Sequence, residues 1–220
     1  MNRRLQSLDW ESIFAADPAL GVALISAPGE ILFVSEGLYN LFGIDRQSRC
    51  DGCVLADIFH VEFARERMRW IRRALSDQTR LRAEHIYQGR RIVSTLIPLA
   101  SPPDGPCVLI ISRPYATAID QHVDNIPRVE SELIDLGPLA ELTSRELEVL
   151  VLLGHGKSVP ETAKLLHRSP RTIEQHKRSI GDKLGVSTLA RIAGVVHEAG
   201  LTINDLALKR YHALRAEYSQ

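Results

Sequence analysis

Cys50 and Cys53 stand at C-x-x-C spacing, where two thiols can close a dithiol switch or supply half of a four-ligand zinc or iron–sulfur site. The chain has three cysteines and Cys107 is the third, so a second pair is missing and no metal is assigned. The pair reads as an inert loop, with a redox role for Cys50 and Cys53 as the alternative. His60, two residues before Glu62, suits a helix cap better than a haem ligand, and His85, in an expected strand, reads as a satisfied, hydrogen-bonded histidine, with a cavity-facing position as the alternative. With no nucleophile–base pair and no ligand cluster, no catalytic residue is assigned. The denser chemistry lies between His155 and Lys183, where seven Lys or Arg face three acids. Clustered cations of this kind supply the salt-dependent part of duplex DNA binding, and Glu174 among them can accept from a cytosine amino group.

The elements that must position this cluster are marked by start and stop signals. Thr143 and Glu146 form a capping box, with Leu142 and Leu147 placed for a hydrophobic staple. Leu147, Leu150 and Val151 follow at helical spacing, and Gly154 or Gly156 can end that helix. A second helix begins near Ser158 with Pro160 early in it, running to about His167 and burying Ala163 and Leu166. Ser169 caps a third helix with Pro170 at its first position. Ile173, His176 and Ile180 share one face of it, and Gly185 ends it. A fourth runs from about Ser187 to Ala199 and stops at Gly200. A solvated helical module that docks another protein is the reading from a different class. It predicts no salt-dependent binding to any duplex.

The whole pattern resembles the LuxR-type (NarL/FixJ-type) helix-turn-helix domain, on Leu142-Thr143-x-x-Glu146, Leu150, Gly156, Ala163, Ser169-x-x-Thr172-Ile173-x-x-His176 and Lys183-Leu184-Gly185. The resemblance implies double-stranded DNA as partner, with the third helix as recognition helix. It places Glu174, Gln175 and Arg178 at base edges, and Arg171, Thr172, Lys177 and Lys183 near phosphates. It implies a homodimer through the fourth helix, at Leu189, Ile192, Ala193 and Val196. Val159-Pro160 departs from the polar or basic pair usual at the start of the second helix, which removes one expected phosphate contact.

Residues 10–112 read as two strands, helices, then three strands: 22–26 and 31–34 joined at Pro28-Gly29, a helical stretch ended by Gly43, a helix over 62–75, then strands 81–87, 91–99 and 107–112. The long helix is expected to turn Phe63, Met68, Ile71 and Leu75 inward against an Arg-rich outer side. This order predicts an α+β domain, a five-stranded antiparallel sheet with helices on one face. With Gly29-Glu30-Ile31-Leu32-Phe33-Val34-Ser35-Glu36, Leu41-Phe42-Gly43 and Asp57-Ile58-Phe59-His60-x-Glu62 it resembles a PAS sensory domain. The resemblance implies a small ligand in a cavity between sheet and helices, or a dimerisation surface, and leaves any cofactor unnamed. The cysteine signature of flavin-adduct light sensors is missing from the helical region. A phosphoacceptor receiver is excluded by residues 1–137, which hold 15 Arg and no Lys and lack doubly wound alternation. Trp10 and Trp70 do not recreate the aromatic motif of acyl-homoserine-lactone sensors.

The expected organisation is a PAS-like domain over 1–112 and a linker over 113–138, with one short helix at Ile119, Val123 and Ile126. An all-α four-helix domain over 139–201 follows, then a helical extension over 202–220 carrying Leu206, Tyr211, Leu214 and Tyr218. Charge divides the same way: 27 basic and 27 acidic residues overall, with the excess acids before residue 138 and the excess cations after it. No apolar run nears the roughly 20 residues of a membrane helix, and no signal-peptide core follows Met1. The expectation is a cytoplasmic, non-enzymatic, two-domain regulator that touches no membrane.

Overall fold

In a computed structural model of the chain, the described residues are 12, 17–44, 52–99, 105–115 and 125–207. They fall into two compact units. The first draws on Met1–Glu84, Ile92–Pro114 and Ala118–Ser131, the second on His85–Arg91, Tyr115–Thr117 and Glu132–Gln220.

The first unit follows the expected order. Strands β1 (Gly21–Ser26) and β2 (Ile31–Val34) precede helices α1 (Glu36–Phe42), α2 (Leu55–Ile58) and α3 (Val61–Asp77). Strands β3 (Leu81–Tyr87), β4 (Arg90–Leu99) and β5 (Cys107–Pro114) come after. Gly43 caps α1 at φ 62°, a left-handed conformation that glycine adopts without strain. His60 caps α3 by accepting from the Glu62 amide at 3.4 Å. Phe63, Ala64, Trp70, Ile71 and Ala74 form the buried face of α3, while Met68 is only half-buried. That buried face also holds Glu66 and Arg67, 1% and 9% exposed, so one arginine of the expected Arg-rich outer side turns inward.

The sheet has six strands, not five, in the order β2-β1-β5-β4-β3-β6. The sixth, β6 (Arg128–Ile134), comes from the stretch expected to be a linker with one short helix. Helical spacing at 119–126 drew attention away from the charged–apolar alternation of Arg-Val-Glu-Ser-Glu-Leu-Ile, which begins directly after Pro127. Of the expected helix, Ile119 and Val123 lie outside the described residues, and Ile126 sits in a bend ahead of the strand.

In the second unit a 3-10 turn (Gly137–Glu141) leads into α4 (Ser144–Gly154), α5 (Val159–Leu165), α6 (Pro170–Leu184) and α7 (Leu189–Glu198). Leu147, Leu150, Ile173, Ile180, Ile192 and Val196 meet in one core. Gly154 is the last residue of α4, and a Cβ there would lie 2.6 Å from the Val196 Cβ, so its small size sets the approach of α4 to α7. Thr188, one residue later than expected, caps α7 by accepting from the Arg191 amide.

Residues 85–91 group with the second unit: the Gly89 amide donates to the Asp135 carbonyl at 2.9 Å, and the Arg91 amide to the Ala199 carbonyl at 2.8 Å. The Arg91 guanidinium donates to the Gly200 carbonyl at 2.9 Å and to Asp205 at 2.6 Å. Of the expected C-terminal helix, a 3-10 turn (Ile203–Ala207) is described; Tyr211, Leu214 and Tyr218 lie outside the described residues.

Candidate nucleic-acid interface

Helix α6 is fixed at both ends and along one side. The Ser169 hydroxyl accepts from the Thr172 amide at 3.1 Å, Pro170 takes the first helical position, and Gly185 closes the helix at φ 66°. Ile173 and Ile180 are fully buried and His176 is half-buried. That anchoring leaves Arg171, Glu174, Gln175 and Arg178 exposed on the opposite surface, with Lys177 half-buried beside them. Lys177 reaches Glu174 at 3.4 Å, an i,i+3 pair at the surface, where such pairs contribute little. Thr172 bonds the Ser169 hydroxyl at 2.8 Å, so its hydroxyl completes the cap.

The helix is locked to α4 by one buried carboxylate. Glu146, 5% exposed, closes the capping box by accepting from the Thr143 amide at 2.7 Å. It also accepts from the Ser179 hydroxyl and the Lys183 ammonium, each at 2.6 Å. Burial pushes the carboxyl upward, but these donors together outweigh it and hold its pKa at about 2 against an ordinary 4.5. Lys183 is thereby held against Glu146, with its side chain still about a third exposed at 32%. The sequence flagged Glu146 as a cap but gave no sign that its second partner set is the last turns of α6.

The expected dimer face is corrected too. Ile192 and Val196 are 1% and 2% exposed in the core of their own unit, because α7 turns them toward α4. Leu189, 47% exposed, and half-buried Ala193 remain at the surface. Of the redox candidate, Cys53 is half-buried and Cys50 lies outside the described residues; Cys107 is buried. Among the described residues no group of three or more His, Cys, Asp or Glu could hold a metal ion. Among them, too, no helix is long and apolar enough to cross a membrane.

A second feature lies in the first unit, a cavity of about 60 Å³ between the sheet and α1 to α3. Apolar and aromatic side chains such as Ile25, Leu38, Phe59 and Leu96 line most of it. Arg67 enters its wall with the guanidinium 3.7 Å from the Phe63 ring centroid and 4.2 Å from that of Trp70, the geometry of a cation–π stack. Arg67 also pairs with Glu66 at 2.5 Å. His85 is not among the lining residues.

The second unit is thus a four-helix module with a capped, outward-facing basic third helix, and the first is an α+β sheet unit. Residues 140–196 match the family described as "Bacterial regulatory proteins, luxR family", and that segment is a luxR-family domain. A probable transcriptional regulatory protein, SgaR of Hyphomicrobium methylovorum, is 36% identical over 66 residues; the match spans 30% of this chain and 31% of that relative's length. Among solved structures, the Vibrio cholerae VqmA dimer is similar at 17% identity and TM-score 0.47, covering 91% of this chain and 93% of that one. The PAS domain of an HTR-like protein from Haloarcula marismortui is similar at 19% identity and TM-score 0.38, over 51% and 93%.

Proposed function

We propose that this chain is a transcription regulator of the bacterial cytoplasm. In this reading its luxR-family domain binds double-stranded DNA as a homodimer on two half-sites, and its PAS-like unit senses a small ligand or a partner. One observation carries the DNA reading: α6 is buried through Ile173 and Ile180 and capped at both ends, so Arg171, Glu174, Gln175 and Arg178 stand outward on a rigid element. A helix held this way can enter a major groove with its side chains ordered. Glu174, Gln175 and Arg178 are the proposed base readers, with Arg171 and Lys177 at phosphates and Thr172 at the helix start beside them. Leu189 and Ala193 are what remains of the proposed dimer surface on α7.

Strand β6 gives the sensing reading a physical route. The Ser131 hydroxyl donates to Glu66 at 2.6 Å, and Glu66 pairs with Arg67, which lines the cavity. The strand continues from Ser131 of the first unit into Glu132 of the second. An occupant shifts an equilibrium only by favouring one arrangement over another, and Arg67 is the group through which a cavity occupant would act on β6.

Two substitutions test the assignment. Gln175→Ala should relax base preference by about 1–3 kcal/mol at one position while leaving affinity for random duplex unchanged. Lys177→Ala should weaken binding to all sequences and reduce the salt slope by about one. Equal losses on specific and random duplex for Gln175→Ala would refute the base-reading role.

A further inference from the structure

The cavity of the first unit carries a polar feature that the sheet itself does not use up. Ser94 on β4 and Ser112 on β5 stand directly opposite in register, 5% and 1% exposed, with their hydroxyl oxygens 2.8 Å apart. Two hydroxyls carry two protons, and their mutual bond uses only one. Neither side chain makes another hydrogen bond among the described residues, so one buried O–H lacks an acceptor on a wall that both serines line. Buried donors are normally matched, and an unmatched one favours any occupant that brings an acceptor.

The remaining lining limits what that occupant can be. Apart from Tyr39, the side chains other than Arg67 are aliphatic or aromatic, which suits an apolar body. The Arg67 charge is already matched by Glu66 at 2.5 Å, so an anion has no uncompensated charge to meet, and the guanidinium opposes a cation. The volume of about 60 Å³ is well below the roughly 150 Å³ of an apolar cavity that holds benzene, which leaves no room for a flavin or a porphyrin. We infer that the cavity takes a small neutral molecule with an apolar body and one hydrogen-bond acceptor, its acceptor end seated on the Ser94–Ser112 hydroxyl pair. This rests on the reading of the first unit as a sensor and names the class of compound it would sense.

The test uses the full-length chain and two small probes of similar shape, acetone and propane, followed by the Ile25 and Ile110 methyl resonances. Acetone should shift both methyls saturably and bind about 10-fold more tightly than propane, the difference one matched hydrogen bond makes. The double variant Ser94→Ala with Ser112→Ala should lose that 10-fold preference and keep the affinity for propane. Equal affinity for the two probes in the unsubstituted protein would overturn the inference without any variant, as would failure of both to bind. An unchanged preference in the double variant would assign the serine pair to sheet cohesion alone. Duplex binding measured on the same samples separates the two ideas. If it is retained while the probes fail, only the ligand class falls; if it is absent, the regulator reading falls.

Discussion

Replacing Glu146 with Gln lowers the stability of the second unit by about 3 kcal/mol near neutral pH, read from the amide exchange of residues 144–153. The size follows from the carboxyl's displacement from 4.5 to about 2, set by burial and then overcome by Lys183, Ser179 and Thr143. A carboxylate whose folded pKa lies below its unfolded one contributes stability above the unfolded value. That contribution is complete above about 4.5 and disappears as pH falls through about 2. The gap between the unsubstituted protein and Glu146→Gln should therefore close between those two values. A gap that persists unchanged at low pH would mean that the amide disturbs packing and that the charge contributes nothing. Because Glu146 joins the first turn of α4 to the last turns of α6, the variant should also loosen the helix that carries the proposed base readers.

The largest functional effect is expected from Arg171→Ala combined with Arg178→Ala. Both side chains are exposed, so unfolding should change by no more than about 0.5 kcal/mol. Duplex affinity should fall by about 100-fold or more, because each arginine that meets a phosphate or base edge contributes about 1–3 kcal/mol. The salt slope should become shallower by about one for each subunit, since Arg171 is the member of the pair proposed at a phosphate. Fluorescence anisotropy with a labelled duplex, run beside a urea unfolding curve, reads both quantities. A double variant that binds as before would place the interface elsewhere on the domain.

What the sequence disclosed and what it concealed divide by range. Thr143 with Glu146, Ser169 with Pro170, and Gly185 are local signals, so the limits of α4 and α6 could be read from a few neighbouring residues. The order of β1 to β5 was legible for the same reason, since alternation and turn residues mark each strand separately. The clamp was not: Ser179 and Lys183 reach Glu146 across 33 and 37 positions, and a lysine in a basic cluster gives no local sign of a buried partner. Arg91 finds Gly200 and Asp205 at separations of 109 and 114, so nothing local shows that residues 85–91 group with the second unit. Glu66 and Arg67 carry no local sign of burial, because only the fold brings Ser131 and two aromatic rings to them. Ile192 and Val196 were read as a partner surface because an apolar stripe looks alike whether it meets its own core or a twin.

The most direct test of the account is the affinity of the full-length protein for a mixed-sequence duplex between 50 and 200 mM salt. The account predicts binding at the low end that weakens linearly on a log–log plot, with a slope steeper than about −3, since Arg171 and Lys177 from two subunits offer four phosphate contacts and each released counterion adds about 0.9. Absence of duplex binding at 50 mM salt would contradict it and leave the helical domain as a protein-docking module.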